Sequence, residues 1–269
     1  MEVEDSENKL SFLGHLEELR WRLVKSAVAV LLFSLLIFLY TEPIMENVFI
    51  SMSKTNFPTY RLLCFLSNSV GMDDTLCASE IKISLQSTAV TGQFSTNIYF
   101  AILGGISIAF PFIFYQIYGF IKPGLNSNEL KYSKGVVFFA SVLFVFGIAF
   151  GYFVLSPLCV QFFGNYSMSS SIKNDFTIDS YMSIITRTTF YTGIFFQLPI
   201  VSYILTKLGI ITPEFMRKFR KHALVGILVL SAILTPPDII SQIIVAVPVY
   251  GLYEIGILVS ASVLRRKTN

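Results

Sequence analysis

Two carboxylates, two guanidiniums and an imidazole lie close together directly before the first long apolar stretch of the chain. The segment reads His-Leu-Glu-Glu-Leu-Arg-Trp-Arg from His15 to Arg22 and includes Glu18 and Arg20. Charged side chains at the point where a chain enters lipid can set its orientation or bind a charged group at the membrane surface. The candidate site therefore comprises His15, Leu16, Glu18 and Arg20 of this segment.

A second acid, Glu129, follows a later apolar run and is predicted to lie on the same membrane face as Glu18. A basic ligand entering the bilayer on that face would meet both carboxylates. Each acid also has a plainer interpretation. Glu18 can pair with Arg22 at i, i+4 on an exposed helix, a contact worth about 0.2 to 0.5 kcal/mol. Glu129 can be a capping-box acid for a helix that begins after Asn126.

Three further polar residues are candidates for intramembrane or partner contacts: Gln197, Glu254 and Asp238. Polar groups at membrane depth are costly unless they face protein or water. Gln197 can instead form an ordinary hydrogen bond between helices. Glu254 can snorkel toward Arg265 or the lipid headgroups.

The composition is that of a membrane protein. Of the 269 residues 54% are hydrophobic and 14% are charged, where a soluble domain has about 25% charged residues. Uncharged runs predict an all-α polytopic protein with six transmembrane helices in one domain, 1–269, because helices satisfy their own backbone hydrogen bonds in lipid. The predicted spans are 22–41, 94–118, 135–155, 182–206, 223–235 and 239–259. The predicted external loops are 42–91, 159–181 and 236–238.

The last two spans are predicted to be short. The uncharged run at 223–237 is only about 22 Å long as a helix, against a hydrocarbon core of roughly 30 Å. Such a pair either thins the bilayer or stops before the far surface.

Most of the 20 Lys and Arg residues fall on one side of these spans. The positive-inside rule then predicts that both termini are cytoplasmic. The basic residues left for the other face are Lys54, Arg61, Lys82, Lys173 and Arg187.

Two of the three cysteines, Cys64 and Cys77, lie in the first predicted external loop. A disulfide between them is plausible in an oxidising compartment. The alternative is two unpaired cysteines, since their spacing does not show that the sulfur atoms meet.

Several functions are not indicated by the sequence. It has no Walker-type phosphate loop, no serine-hydrolase elbow and only two histidines, so we predict no enzyme activity, no metal site and no cofactor. The net charge of +3 follows from the membrane topology and does not indicate a nucleic-acid partner. The acidic N-terminus does not resemble a secretory signal, so the first span is expected to be retained.

Motifs in order along nearly the whole chain resemble those of the TatC family, the multispanning receptor subunit of the twin-arginine protein translocase. They are His15-Leu-Glu-Glu-Leu-Arg-Trp-Arg22; Pro111-x-x-x-Tyr-Gln-x-x-x-Phe-Ile-x-Pro-Gly-Leu125 with Glu129; Gly147-x-x-Phe-x-Tyr-Phe153 with Pro157; Gln197-Leu-Pro199; Gly209-Ile-x-x-Pro-Glu-x-x-Arg-Lys-x-Arg220; Leu234-Thr-Pro-Pro-Asp-x-x-Ser-Gln242; and Pro248-x-Tyr-x-Leu-Tyr-Glu-Ile-Gly256. The Leu-Thr-Pro-Pro-Asp run is the most specific of them.

This resemblance implies a function in export of folded proteins across the plasma (inner) membrane, driven by the proton-motive force. The implied partners are signal peptides with two adjacent arginines and small single-span subunits of the TatA and TatB type, with self-association as a further option. Glu18 and Glu129 match the pair of glutamates implicated in holding the twin arginines, and Phe120 matches the loop segment beside them. Many family members have a glutamate where this chain has Gln197.

Two other functions remain as alternatives. Six spans with Gln197 and Glu254 at depth are also compatible with a small-solute transporter. A purely structural membrane scaffold is the third interpretation.

Overall fold

The computed structural model describes residues 2–54, 56–70, 85–122, 133–169, 175–235 and 239–268, and the chain is mostly helical in these ranges. The all-α prediction is confirmed. The α-helices and strands are α1 (Glu2–Leu39), α2 (Thr41–Ile44), α3 (Pro58–Val70), β1 (Leu85–Gln86), α4 (Gly92–Ile121), α5 (Ser133–Phe150), α6 (Ser156–Asn165), β2 (Phe176–Thr177), α7 (Ile178–Phe195), α8 (Leu198–Lys207), α9 (Pro213–Lys218), α10 (Arg220–Leu234) and α11 (Ile239–Thr268).

Five helical stretches of the described residues are long and apolar enough to cross a membrane, and they coincide with five of the six predicted spans. Their bounds are Gly14–Leu39, Gly92–Ile121, Gly135–Asn165, Ile178–Lys207 and Gln242–Arg265. The remaining predicted span, 223–235, corresponds to α10, which has 15 residues. Helix α10 is about 22 Å long at 1.5 Å per residue. That this short helix crosses the bilayer therefore stays a prediction.

Helix α1 packs along α4 through small residues. Gly105 lies against Ser34, so close that a Cβ atom added to Gly105 would stand 2.7 Å from the Ser34 backbone nitrogen. Just beyond the end of α1, the Thr41 hydroxyl of α2 donates to the Asn97 side-chain oxygen of α4 at 2.7 Å. Small side chains allow two helix backbones to approach closely where lipid supplies no hydrophobic driving force. The contact sets the position of the charged end of α1 relative to α4.

The third span is continuous across an irregular turn. A π-helical turn, Gly151–Leu155, joins α5 to α6, and the helix continues to Asn165, beyond the predicted end of the span at 155. Pro157 lies directly after the π-helical turn, and the Phe153 carbonyl, to which its missing N–H cannot donate, accepts a hydrogen bond from the Thr59 hydroxyl. Gly151 packs against the backbone of Thr189 on α7.

Short helices cap the end of the molecule that is predicted to be external. Helix α2, a π-helical turn (Met45–Phe49), a 3₁₀ turn (Ile50–Ser53) and α3 follow α1. The Tyr60 hydroxyl donates to the Pro157 carbonyl at 3.2 Å. Burial raises the pKa of Tyr60 well above its usual value, so the phenol remains a donor. Strand β1 pairs in parallel with β2 beside this cap.

Candidate functional site at the charged end of α1

The charged end of α1 lies against the C-terminal end of α4. The imidazole of His15 stacks on the Phe120 ring with 4.2 Å between ring centroids and 18° between ring planes. The Leu16 side chain beside it is 46% exposed. Two of the predicted site residues, far apart in the sequence, are therefore in contact. We call His15, Glu18, Arg22, Gln116, Gly119 and Phe120 the α1–α4 site.

Glu18 is hydrogen-bonded to a guanidinium of its own helix. Arg22 donates from Nε at 2.9 Å and from Nη2 at 2.7 Å, and both bonds go to the same carboxylate oxygen, Oε1. The other oxygen, Oε2, lies 3.9 Å from His15 Nδ1. The Glu18 side chain is 40% exposed and the Arg22 side chain 25%. The i, i+4 interpretation of Glu18 is confirmed, and the carboxylate remains accessible to water.

Arg22 is also anchored on α4. Its Nη1 lies 3.3 Å from the side-chain oxygen and 3.4 Å from the carbonyl oxygen of Gln116, which is buried. Gly119 makes room for this arrangement, because an added Cβ atom would contact Nη1 and stand 3.1 Å from the guanidinium carbon. Gln116 and Gly119 were not predicted from the sequence as site residues. Gln116 is nevertheless part of the motif Pro111-x-x-x-Tyr-Gln-x-x-x-Phe120, one of those that resemble the TatC family.

The neighbouring charged side chains of α1, Glu17 and Arg20, are more exposed than Glu18 and Arg22. Arg20 pairs with Glu17 at 3.2 Å, and both side chains are about two-thirds exposed, at 65% and 64%. The Arg20 guanidinium also lies 5.6 Å from the centroid of the Trp21 ring. Exposed pairs of this kind contribute about 0 to 1 kcal/mol. Arg20 is thus adjacent to the α1–α4 site without contacting Glu18 in the structure.

Three predicted site residues, Glu129, Asp238 and Cys77, lie outside the described residues. The approach of Glu129 to Glu18 therefore stays a prediction. Cys64 is in the disulfide-bonded state, and its pairing with Cys77 stays a prediction as well.

Gln197 serves as a bridge between helices. It occupies the break between α7 and α8, is 7% exposed, and donates from Nε2 to the Ala140 carbonyl of α5 at 3.1 Å. The plainer interpretation of Gln197 is thus confirmed. Its Oε1 is buried and has no hydrogen-bond partner among the described residues.

Glu254 is neutralised by Arg220, which was not predicted from the sequence as its partner. Arg220, at the start of α10, donates from Nη2 to Glu254 Oε2 at 2.7 Å, and the Tyr250 hydroxyl donates to Oε1 at 3.0 Å. The ion pair joins α10 to α11 and accounts for a carboxylate on a membrane helix without a substrate. Within the described ranges, no group of three or more His, Cys, Asp and Glu side chains is placed to hold a metal ion.

Comparisons of this chain with a family model and with individual relatives all point to the same protein family. The family model described as "Sec-independent protein translocase protein (TatC)" matches residues 14–248. The TatC protein of Blattabacterium sp. subsp. Periplaneta americana (strain BPLAN) is 34% identical over 266 residues, covering 98% of this chain and 100% of the relative. TatCy of Bacillus subtilis (strain 168) is 31% identical over 259 residues, covering 96% and 92%.

Two crystal structures described as the twin arginine translocase receptor TatC have the same fold. One superposes with a TM-score of 0.67 at 29% identity, covering 93% of this chain and 99% of the other. The second, determined in the detergent DDM, has a TM-score of 0.70 at 30% identity, covering 91% and 99%.

Proposed function

The chain belongs to the TatC family of Sec-independent protein translocase proteins, and from this premise we propose that it is the receptor that binds twin-arginine signal peptides. As a member of this family it is a multi-pass membrane protein and a component of a protein translocase. The proposal adds the ligand, the side of the membrane and the residues that bind. Glu18 and Glu129 hold the two adjacent arginines at the cytoplasmic face of the plasma (inner) membrane.

The observation that best supports the proposal is the exposure and hydrogen bonding of the Glu18 carboxylate. Its carboxylate is partly exposed at the end of a membrane helix and already accepts two hydrogen bonds from one guanidinium. A guanidinium is planar, permanently charged and able to donate several bonds in a fixed geometry, whereas a lysine ammonium is a hydrated point charge. A carboxylate with these surroundings suits arginine better than lysine.

The remaining parts of the proposal follow from the family. The chain acts with small single-span subunits of the TatA and TatB type, and the proton-motive force drives export of folded cargo. Both termini are cytoplasmic. A solute transporter is less well supported, because Gln197 bonds to Ala140 and Glu254 pairs with Arg220. The two polar side chains at depth that motivated a transporter thus each have at least one partner within the protein.

The proposal is tested by crosslinking a twin-arginine precursor to the full chain in membranes. The precursor carries a photoreactive residue beside its arginine pair, and the receptor is wild type, Glu18→Ala, Glu129→Ala or the double variant. We expect each single variant to weaken capture and the double variant to abolish it, because hydrogen bonds to charged groups contribute roughly 1.5 to 3 kcal/mol each.

The matched control is Glu17→Ala, which removes a carboxylate one residue away that pairs with Arg20. Capture by this control should stay near the wild-type level. Undiminished capture by the double variant would remove the assignment of the site.

A further inference from the structure

The carboxylate proposed to receive an arginine of the ligand is already occupied by an arginine of the protein. Arg22 donates two hydrogen bonds, at 2.9 and 2.7 Å, to Oε1 of Glu18. An incoming guanidinium would make bonds of the same chemical kind. Because the Glu18–Arg22 pair is formally neutral, the pair by itself does not attract a cation through net charge. Binding at Glu18 is therefore a replacement of one guanidinium by another.

Arg22 has a second set of acceptors that remains after it leaves Glu18. Its Nη1 faces both oxygens of Gln116, at 3.3 and 3.4 Å, while the bonds to Glu18 come from Nε and Nη2. The two sets use different nitrogen atoms, so releasing Glu18 does not break the bonds to Gln116. Since 25% of the Arg22 side chain is exposed, water can solvate the released N–H groups. Such an exchange avoids leaving a charged group buried without partners, which is the costly outcome.

The surroundings of Arg22 are shaped for this arrangement. Gly119 leaves open the space that the guanidinium occupies, since any side chain there would contact Nη1. The Ser26 hydroxyl donates to the Arg22 carbonyl at 2.9 Å, one turn further along α1. Arg22 is thus bonded to α4 through Nη1, while Nε and Nη2 bond to Glu18.

We propose that Arg22 determines specificity at the α1–α4 site by occupying Glu18 in the resting receptor and yielding to an arginine of the signal peptide. This inference rests on the proposed function. An arginine replaces the bonds that Arg22 gives up. A lysine provides a single, strongly hydrated ammonium that does not reproduce the two-bond contact, so it displaces Arg22 poorly. The Glu18–Arg22 pair of the resting receptor therefore lowers the affinity for a lysine ligand more than the affinity for an arginine ligand.

The test is the affinity of the purified full chain for two fluorescent signal peptides, one with Arg-Arg and one with Lys-Lys, measured by anisotropy. Arg22→Gln removes the internal guanidinium and leaves Glu18 open to any cation. We expect both peptides to bind more tightly than to wild type, the lysine peptide by more, so that the preference for arginine falls about tenfold. Arg22→Lys keeps the positive charge and should give an intermediate preference.

The matched control is Lys25→Gln, which removes one positive charge from an exposed position of the same helix. It should change the affinities of both peptides by the same factor and leave the preference for arginine intact. Thermal unfolding of each purified variant verifies that the chain is folded.

The alternatives give different results. Loss of arginine-peptide binding by folded Arg22→Gln and Arg22→Lys would mean that Arg22 holds Glu18 in position, and it would overturn the exchange. If both variants kept the wild-type preference for the Arg-Arg peptide over the Lys-Lys peptide, that result would also overturn the exchange. If the wild-type chain does not distinguish the two peptides, the proposed function itself fails, and the exchange fails with it.

Discussion

Glu18→Lys is expected to lower the affinity for a twin-arginine signal peptide by at least about 30-fold. The substitution removes the carboxylate and places an ammonium beside the Arg22 guanidinium, which now bonds to Glu18 at 2.7 Å. Removing one partner of a hydrogen-bonded charge pair that becomes buried in the complex typically costs about 2 to 5 kcal/mol, and each 1.4 kcal/mol is a factor of ten in affinity. The measurement is peptide binding to the purified full chain.

The control for this prediction is Glu17→Lys, which makes the same change of charge at the adjacent residue. Glu17 is 64% exposed and pairs with Arg20 rather than with Arg22. We expect Glu17→Lys to weaken binding by no more than a few-fold, through the general increase in positive charge. Equal losses in the two variants would show that the response reflects net charge at the membrane surface and not the carboxylate of Glu18.

Gly105→Ala is expected to destabilise the whole helical assembly by more than about 2 kcal/mol. The new methyl group would stand 2.7 Å from the nitrogen and 2.9 Å from the Cα atom of Ser34. These are backbone atoms, so no change of side-chain rotamer relieves the contact and α1 must move away from α4. Overpacking that forces side chains off their rotamers or shifts the backbone typically costs about 1 to 3 kcal/mol and occasionally more. The measurement is the thermal stability and yield of the detergent-purified chain.

Gly104→Ala supplies the comparison at the preceding residue. Its added methyl group would approach the Ile37 Cδ1 atom at 2.7 Å, and that atom is the far end of a flexible side chain. We expect this variant to lose much less stability than Gly105→Ala. Since α1 carries Glu18 and α4 carries Gln116, Gly105→Ala should also impair peptide binding. A stable, fully binding Gly105→Ala variant would contradict the close packing of the two helices.

The sequence predicted the helical spans well because lipid imposes a strong and local constraint. Every backbone group of a membrane-spanning segment must be hydrogen-bonded internally, so a long apolar run specifies a helix by itself. The short helix α10 fits the same argument, since its length was visible as a short uncharged run. The break at Gln197 and the continuation of the third span past Pro157 were not predicted, because they depend on packing between α5, α6 and α7.

The candidate site was only partly predictable for a related reason. The acids, His15 and Phe120 could be named from residue type and from the resemblance, and the structure brings His15 and Phe120 into contact. The partners that determine how Glu18 behaves are Arg22, Gln116 and Gly119. Two of these lie on another helix, far along the chain, and no local pattern states that α1 and α4 meet there. Likewise, Arg220 was identified as the partner of Glu254 only from the fold.

The most direct test of the account is protection of thiols placed beside the two acids by a signal peptide. Glu17→Cys and Asn128→Cys variants, which keep Glu18 and Glu129, are placed in sealed membrane vesicles of both orientations and labelled with a membrane-impermeant maleimide, with and without an Arg-Arg or Lys-Lys peptide. We predict that both positions react only from the cytoplasmic side, and that the Arg-Arg peptide protects both while the Lys-Lys peptide protects neither. Labelling of the two positions from opposite sides, or labelling that no peptide alters, would contradict the shared site.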